Sequence, residues 1–361
     1  EGRLAEADID RAVSRILRLK FKMGLFDNPY VKVKKAEKLI GTSGHREVAR
    51  EVARQSVVLL KNENQLLPLS KEVKRVAVIG PNADNVYNQL GDYTAPQAPG
   101  SVITVLEGIR QKLPGAEVRY VKGCAVRDTL DTSIGEACET AKNSDVVVVV
   151  LGGSSARDFE TDFLETGAAV ANERKVSDME SGEGFDRIGL SLMGKQVELL
   201  KALYATGRPV VLVMVQGRPL ELNWAAEHIP AILTTWYPGG EGGRAIADVL
   251  FGDYNPAGRL PLSYPRHVGQ LPVYYNHKSA ERHDYVEGTA PLYPFGFGLS
   301  YTTFVYEGID VRVEGDSVRV SVDVKNVGGR AGDEVVQLYL RDEQASVVTP
   351  FMQLKAFQRV H

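Results

Sequence analysis

Acidic side chains concentrate in one short, glycine-rich stretch of the chain. Glu180, Glu183 and Asp186 lie within eight residues, and Arg187 follows them directly. Carboxyl groups can donate or accept protons for a substrate when the fold holds them at a binding site. Acids flanked by glycine are also common in solvated surface loops, so the stretch alone leaves a catalytic and a surface interpretation open.

The segment that precedes this stretch predicts where the acids lie. Five consecutive valines run from Val146 to Val150, and Leu151 and the sequence Gly152-Gly153-Ser154-Ser155 come next. A continuous β-branched run is typical of a strand buried on both faces, as in a parallel sheet covered by helices. Ligands of open α/β sheets bind outside the carboxyl ends of the strands. We therefore expect the acidic stretch at the ligand-binding edge of such a sheet.

Strand-like and helix-like segments alternate through the middle of the chain. This alternation predicts βαβ units, and hence a three-layer α/β sandwich with a mostly parallel sheet, over residues 45–265. Strands are predicted at 75–79, 118–121, 146–151, 210–215 and 231–236. Helices are predicted at 46–60, 102–113, 134–143, 190–205, 222–227 and 242–251.

The two ends of the chain have a different character. Residues 5–22 form an amphipathic pattern that predicts a helix, followed by a linker at 25–44. Residues 266–299 are rich in Tyr, Pro and Gly without a period, which predicts a long wrapping connection. Alternating strands at 304–313, 317–326 and 333–341 predict an antiparallel sandwich over 300–361. Such a sandwich needs about seven strands, so we expect the chain to stop inside this domain.

Composition excludes several classes of protein. Hydrophobic residues make up 43% and charged residues 25% of the 361-residue chain, and the net charge is −3, so nothing favours a nucleic-acid or anionic-membrane partner. No apolar stretch reaches the ~20 residues of a membrane helix. Cys124, Cys138 and the six histidines lack metal-site spacing, so we expect no metal. The chain starts without an initiator Met or a signal-type segment, so we expect it to begin after processing or within a larger protein.

Several longer motifs occur in order along nearly the whole chain. They are VARQSVVLLKNENQLLP (52–68), VIGPNAD (78–84), QLGDYTAP (89–96), SGEGFDR (181–187), PGGEGGRAIADVLFGDYNPAGRLPLSY (238–264), PLYPFGFGLSYTTF (291–304) and VSVDVKNVGGRAGDEVVQLYLR (320–341). The series resembles glycoside hydrolase family 3, the β-glucosidases and β-xylosidases.

The resemblance implies a division into domains. Residues 1–44 would be the last helix of a (β/α)8 barrel, otherwise missing, plus a linker. Residues 45–265 would be the family's (α/β)6 sandwich, 266–299 a wrapping connection, and 300–361 a truncated fibronectin type III-like domain.

The resemblance also implies a retaining, exo-acting β-glycosidase. The implied activity is a β-glucosidase that removes terminal non-reducing β-D-glucosyl residues from β-linked gluco-oligosaccharides, with β-xylosidase as the alternative. No cofactor is implied, because two carboxyl groups and water suffice. A periplasmic or secreted location is expected from the family, and a homodimer is compatible with the sequence.

The resemblance assigns roles to particular residues. The family's general acid/base lies just upstream of a (D/S)R pair, which indicates Glu183, four residues before Arg187, with Glu180 as the runner-up. Asp92 and Tyr93 are expected to bind substrate for another reason, namely that they follow the first strand of the sheet at its ligand edge, although Tyr93 could equally pack between domains.

The Asp nucleophile of the family lies on the barrel, and no matching motif is present here. Neither Ser144-Asp145 nor Ser177-Asp178 fits the barrel signature. We therefore expect the chain to contribute half of an active site, to need an N-terminal barrel as its partner, and to be inactive alone.

Other interpretations of individual features remain. The segment VAVIGPN (76–82) is like the start of a nucleotide-binding fold but lacks the further glycines of that fingerprint. A non-catalytic carbohydrate-binding or assembly module is the alternative from another class. Arg187 could stabilise a carboxylate or cap a helix near Leu190. An acidic insertion could line the sugar site or form a solvated lid, which we favour; its acids are Asp158, Glu160, Asp162 and Glu165.

Overall fold

The computed structural model describes residues 4–156, 164–166, 176–278 and 290–361. The chain divides into two compact units, one ending at Arg46 and one spanning Glu47–His361. No helix within the described ranges is both long enough and apolar enough to cross a bilayer. Asp158, Glu160 and Asp162 of the acidic insertion lie outside the described residues, whereas Glu165 is described and exposed.

The first unit is helical. Helix α1 (Glu6–Lys22) matches the predicted amphipathic segment, with acids in its first turn and lysines in its last turn, as the helix dipole favours. None of its 17 residues, all of them described, is buried. The predicted linker contains a second short helix, α2 (Val33–Leu39), and α3 (Ser43–Ser56) begins at the end of this unit.

The second unit is built on a six-stranded sheet with the strand order β1-β6-β5-β4-β2-β3. Neighbouring strands among β2 to β6 are parallel, and β1 pairs with β6 in the antiparallel sense. The fold class expected from the alternation is therefore confirmed. The strands are β1 (Val58–Asn62), β2 (Arg75–Ile79), β3 (Glu117–Val121), β4 (Val146–Gly152), β5 (Val210–Val215) and β6 (Ala231–Trp236).

The strand β1 was not predicted, because residues 46–60 were interpreted as one helix. The helix ends at Ser56, and the run from Val57 to Leu60 is buried on both sides, from 0 to 2% exposed. Four consecutive apolar residues have no polar face to turn to solvent as a surface helix would, but they suit a strand covered on both faces.

Helices cover both faces of the sheet. Even-numbered valines of β4 (146, 148 and 150) belong to the apolar cluster under α5 and α9, and residues 147, 149 and 151 belong to the cluster under α6, α7 and α8. This alternation explains why the five valines are all buried. The helices are α4 (Val86–Leu90), α5 (Val105–Lys112), α6 (Ile134–Lys142), α7 (Gln196–Tyr204), α8 (Asn223–His228) and α9 (Gly242–Leu250).

Helix α7 begins six residues later than the predicted start at Leu190. Gly194 adopts a φ of +60°, and a Cβ atom there would lie 2.8 Å from the carbonyl oxygen of Val126. The left-handed conformation interrupts any helix through this point, so residues 190–195 form an irregular segment.

The C-terminal part consists of two antiparallel strand pairs. Strand β7 (Phe304–Glu314) pairs with β8 (Ser317–Asn326), and β9 (Glu334–Leu340) pairs with β10 (Gln353–Val360). The first three strands match the predicted alternation, and β10 was not among the strands predicted. The described part of the connection 266–299 is bound to the sheet domain, since Tyr264 and Tyr293 form a bridge and the Leu299 amide donates to Leu59.

Candidate active site

Three neighbouring parallel strands end at the same edge of the sheet, where glycines allow the chain to pass closely. Gly80 follows β2 with a φ of +124°, and a Cβ there would lie 2.1 Å from the Val150 carbonyl oxygen. Gly152 ends β4 with a φ of +145°, and a Cβ there would lie 1.8 Å from the Val215 carbonyl oxygen. A side chain at either position would force the strand ends apart. Because both residues are glycine, the loops that follow the strands leave the sheet side by side.

A buried set of side-chain amides ties these loops together. The Asn82 Nδ2 donates to the carbonyl oxygens of Gly153 at 3.1 Å and Val215 at 3.3 Å. The Asn88 Nδ2 donates to Asn82 Oδ1 at 2.8 Å, and the Ser154 Oγ donates to Asn88 Oδ1 at 2.6 Å. These side chains are at most 3% exposed. We call Asn82, Asn88 and Ser154 the amide network; it holds the segment after β4 in one position.

Glu180 connects the acidic stretch to the segment that follows β4. The Glu180 amide donates to the Ser154 carbonyl oxygen at 2.9 Å. Its side chain is 2% exposed, and its Oε2 accepts a 2.7 Å hydrogen bond from the Arg187 Nη1, whose own side chain is 5% exposed. A Cβ atom at Gly153 would lie 2.1 Å from Glu180 Oε1. The carboxylate therefore occupies the space that the missing side chain of Gly153 leaves.

Glu183 lies at the tip of the same loop and has the opposite environment. It is exposed, between Gly182 at a φ of +120° and Gly184 at +80°. The Phe185 amide donates to the Gly182 carbonyl oxygen at 3.2 Å, which closes a tight turn around it. The Glu183 carboxylate is thus accessible to a molecule outside the loop, whereas that of Glu180 is not.

The structure brings Tyr93 to Glu183 from a distant part of the sequence. The Tyr93 hydroxyl donates to Glu183 Oε2 at 2.8 Å. Tyr93 is 81% exposed, and its φ of +57° is unusual for a residue with a side chain. Unusual backbone conformations of this kind cluster at functional sites.

Asp92 faces its own loop. Its Oδ1 accepts a 2.7 Å hydrogen bond from the Tyr93 amide, and its amide donates to the Ser155 Oγ at 3.1 Å. Of the two residues expected to bind substrate, Tyr93 is the exposed one and Asp92 is half-buried.

Two arginines bracket the acidic loop at its base. Besides Glu180, Arg187 binds the carbonyl oxygens of Gly189, at 2.8 Å, and Ser191. It therefore stabilises a carboxylate and does not cap a helix, since α7 begins only at Gln196. Burial lowers the pKa of Arg187 below its usual range; the charge of Glu180 opposes this shift, and that of Arg218 adds to it.

The second arginine is Arg127. Its Nη1 donates to the Met179 carbonyl oxygen at 2.8 Å, just before Glu180, and its guanidinium lies 5.8 Å from the centre of the Phe185 ring. Arg127 thus contacts the chain on both sides of Glu183, at Met179 and at Phe185.

Sequence reasoning missed the amide network and Arg127. The Asn82 side chain comes directly after a predicted strand and a Gly-Pro pair, and a polar residue at that position is a usable signal for the ligand edge. Arg127 had no such signal, because it lies in a loop 52 residues from its partner.

The arrangement offers one accessible carboxylate beside a phenol hydroxyl. Such a group can donate a proton to a leaving oxygen or remove one from water. Retaining glycoside hydrolysis needs a second carboxyl group ~5 Å away as the nucleophile. Glu180 is unsuited to that part, because it is buried and paired with Arg187. Among the residues that the structure describes, no three His, Cys, Asp or Glu side chains cluster as metal ligands would.

Comparison with protein families agrees with the motifs. The model of the glycosyl hydrolase family 3 C-terminal domain matches residues 57–301, which include the whole acidic loop. The model of the fibronectin type III-like domain matches residues 334–361.

Curated relatives cover almost all of the chain. A protein named β-xylosidase from Formosa agariphila is 42% identical over 374 aligned positions, which cover 98% of this chain and 48% of that protein. A protein named periplasmic β-glucosidase from Salmonella typhimurium is 38% identical and covers 99% of this chain and 49% of its own length. The chain spans about half the length of these relatives.

Solved structures of β-glucosidases are similar to almost the whole of this chain. A β-glucosidase from Erythrobacter marinus superimposes with a TM-score of 0.84 at 40% identity, over 99% of this chain and 49% of that one. A β-glucosidase from Listeria innocua, solved in complex with glucose, superimposes with a TM-score of 0.82 at 34% identity, over 99% and 48% of the two chains.

Proposed function

We propose, because this chain belongs to glycosyl hydrolase family 3, that it supplies the general acid/base Glu183 to a retaining β-glycosidase. The nucleophilic Asp would come from a (β/α)8 barrel joined to this chain. We use the term complete enzyme for this chain together with that barrel. The chain by itself would be inactive, since it would hold only one of the two reacting carboxyl groups.

The contrast between Glu183 and Glu180 carries the proposal. A general acid/base must reach the leaving oxygen and then a water molecule, so its carboxyl group has to be accessible. Glu183 is exposed at the tip of the loop, and Glu180 is 3% exposed and bound to Arg187. This difference supports Glu183 over the runner-up.

The proposed reaction has two steps. First the Asp carboxylate attacks the anomeric carbon while the Glu183 carboxyl group donates its proton to the departing glycosidic oxygen. This step leaves a covalent glycosyl-enzyme and an ionised Glu183. Glu183 then removes a proton from a water molecule that attacks the same carbon, which releases the sugar and the Asp carboxylate and restores the protonated Glu183.

Tyr93 fits this scheme as a neighbour of the acid/base. Its hydroxyl donates to Glu183 Oε2, which orients the carboxyl group. Its ring could also contact a sugar, as aromatic side chains do in many binding sites.

The proposed substrate is a β-linked gluco-oligosaccharide cleaved at its non-reducing end. The names of the relatives divide between β-glucosidase and β-xylosidase, so the alternative activity is that of a β-xylosidase. A periplasmic or secreted location is proposed on the name of the Salmonella relative.

The test is hydrolysis of aryl β-glucosides by the complete enzyme carrying Glu183→Ala. We expect kcat/KM for a poor leaving group to fall ~10²–10⁴-fold and that for 2,4-dinitrophenyl glucoside to change little. Added azide should restore kcat for 2,4-dinitrophenyl glucoside, because the glycosyl-enzyme formed from this substrate accumulates and azide attacks it without needing a base.

The control is Asp186→Asn, which removes another exposed negative charge from the same loop. It should leave the dependence on the leaving group unchanged. Unchanged kinetics in Glu183→Ala would reject the assignment, and a complete enzyme without hydrolase activity would favour a non-catalytic carbohydrate-binding module.

A further inference from the structure

We infer that the buried ion pair between Glu180 and Arg187 is a clamp that positions Glu183 for proton transfer. The inference rests on the proposed function of Glu183 and adds two positioning residues to it. Neither Glu180 nor Arg187 would touch the substrate.

The ion pair closes the loop at its base. Glu180 and Arg187 are seven residues apart, and their 2.7 Å contact joins the two ends of the stretch that carries Glu183. Between them stand the two glycines with positive φ that surround Glu183. A stretch so rich in glycine has many alternative conformations, so closing its base restricts where its tip can lie.

The clamp is itself attached to the sheet. The Glu180 amide donates to the carbonyl oxygen of Ser154, a member of the amide network, and the Glu180 carboxylate packs against the bare Cα of Gly153. On the other side, Arg187 binds the carbonyl oxygens of Gly189 and Ser191. Contacts therefore run without interruption from the end of β4 to the loop that carries Glu183.

Stability alone is a weak reason for such a pair. Removing two charges from water is costly, and buried ion pairs can often be replaced by apolar residues without loss of stability. A pair that holds one geometry is useful where position matters, because a misplacement of ~1 Å in an active site can cost ~10²-fold in rate. The loop that carries the proposed acid/base, Glu183, is such a place.

The first variant is Arg187→Ala in the complete enzyme. We expect kcat/KM for a poor leaving group to fall roughly 10-fold to 100-fold, with little change for 2,4-dinitrophenyl glucoside. A role in stability alone would lower the rates of all aryl glucosides by the same factor.

The matched control is Arg259→Ala. Arg259 also pairs with a largely buried glutamate, Glu334 at 2.6 Å, and also binds two backbone carbonyls, but it lies outside the acidic loop. We expect this change to affect all leaving groups equally.

A second variant, Gly153→Ala, tests the clamp without removing a charge. The added methyl group would displace the Glu180 carboxylate, so the same selective loss on poor leaving groups is expected. In a Glu180→Ala background the methyl group has room, and Gly153→Ala should then cause less than a twofold further change. This variant also serves if Arg187→Ala does not fold.

The double variant Glu183→Ala/Arg187→Ala separates the clamp from the proposed function. We expect it to be no slower than Glu183→Ala alone, because the clamp acts only through Glu183. Suppose that Glu183→Ala shows the leaving-group signature, a fall in kcat/KM for poor leaving groups only. The clamp is then refuted, and the acid/base assignment stands, if the losses in the double variant multiply. The same holds if Arg187→Ala and Gly153→Ala slow all substrates equally. If Glu183→Ala lacks the signature, the proposed function fails and the clamp fails with it.

Discussion

Asp248 and Glu180 are both buried carboxylates bound by arginine, but they belong to regions with different organisation. The Asp248 side chain on α9 is fully buried and accepts hydrogen bonds from Arg50 at 2.8 Å, Arg54 at 2.7 Å and Lys112. Its partners come from α3 and α5, so the cluster joins three helices. Among the described residues, Glu180 has one arginine partner, and that partner belongs to the same loop.

The difference shows how a structural carboxylate is distinguished from one beside a reactive site. All the charges around Asp248 serve packing between helices. Glu180 instead lies three residues from Glu183, an exposed acid that accepts a hydrogen bond from the Tyr93 hydroxyl. A buried, paired carboxylate is thus no candidate for proton transfer by itself. The region around it is a candidate site only if an exposed acid lies nearby, as Glu183 does beside Glu180.

The largest expected effect is that of Asp248→Asn on stability. The change leaves three cations around a neutral buried group, so we expect the free energy of unfolding to fall by about 3–5 kcal/mol. Urea unfolding of the chain measures it. The leaving-group dependence of the complete enzyme should stay as in the wild type, and a selective loss on poor leaving groups would contradict the separation of the two regions.

The same variant has an expected pH dependence. Burial acts to raise the pKa of Asp248, but the hydrogen bonds from Lys112, Arg54 and Arg50 outweigh it and hold the pKa below its ordinary value. A carboxylate with a lowered pKa contributes stability that is fully present above about pH 3.9, its unfolded pKa, and is lost as the pH falls through its folded value. The difference in unfolding free energy between wild type and Asp248→Asn should therefore be constant from pH 7 to about pH 5 and shrink below pH 4. A difference that grows with acidity would contradict the assignment.

Asn82→Ala should affect both stability and activity, because the amide network belongs to the site region. It removes the side-chain donor to the carbonyl oxygens of Gly153 and Val215 and the acceptor of the buried Asn88 side-chain amide, which costs about 1–3 kcal/mol of unfolding free energy. It also loosens the segment that holds Glu180, so poor leaving groups should suffer more than good ones in the complete enzyme. Asn143→Ala is the control, since Asn143 binds a backbone carbonyl from an exposed position. Equal loss on all substrates would place the network with the Asp248 cluster as purely structural.

Tyr93→Phe has the smallest expected effect. It removes one hydrogen bond to Glu183 and keeps the ring, so kcat for a poor leaving group should fall by about 2-fold to 10-fold. Stability should hardly change, because Tyr93 is 81% exposed. Tyr30→Phe, at another exposed tyrosine, is the control. A loss of ~10³-fold would mean that Tyr93 takes part in the reaction beyond orienting Glu183.

Much of the fold was predictable from local patterns. The valine run, the alternation of strands with helices and the paired C-terminal strands appear in the structure within a few residues of the predicted limits. The errors share one cause. Whether Val58–Asn62 forms a strand depends on pairing with β6, and whether α7 starts at Leu190 or Gln196 depends on how Gly194 packs against Val126. These are contacts between segments far apart in the chain, which no local pattern contains.

The candidate site was predictable to a similar extent. The position of the acidic loop after β4 followed from the buried strand, and Glu180, Glu183, Asp92 and Tyr93 were all candidates by type and register. The amide network and Arg127 were not foreseen, since their partners, apart from the contact between Asn82 and Asn88, lie 50 to 133 residues away.

The sequence by itself determined the family, the fold class and the short list of acids, because these depend on residue types and their order along the chain. The tertiary structure alone decided which acid is buried and which is open. Glu180 and Glu183 have the same side chain three residues apart, and their difference comes from what the fold brings to each: a bare Cα at Gly153 and a guanidinium for Glu180, solvent and a tyrosine hydroxyl for Glu183. The environment of a carboxylate is set by atoms that arrive from elsewhere in the chain, and only folding brings them together.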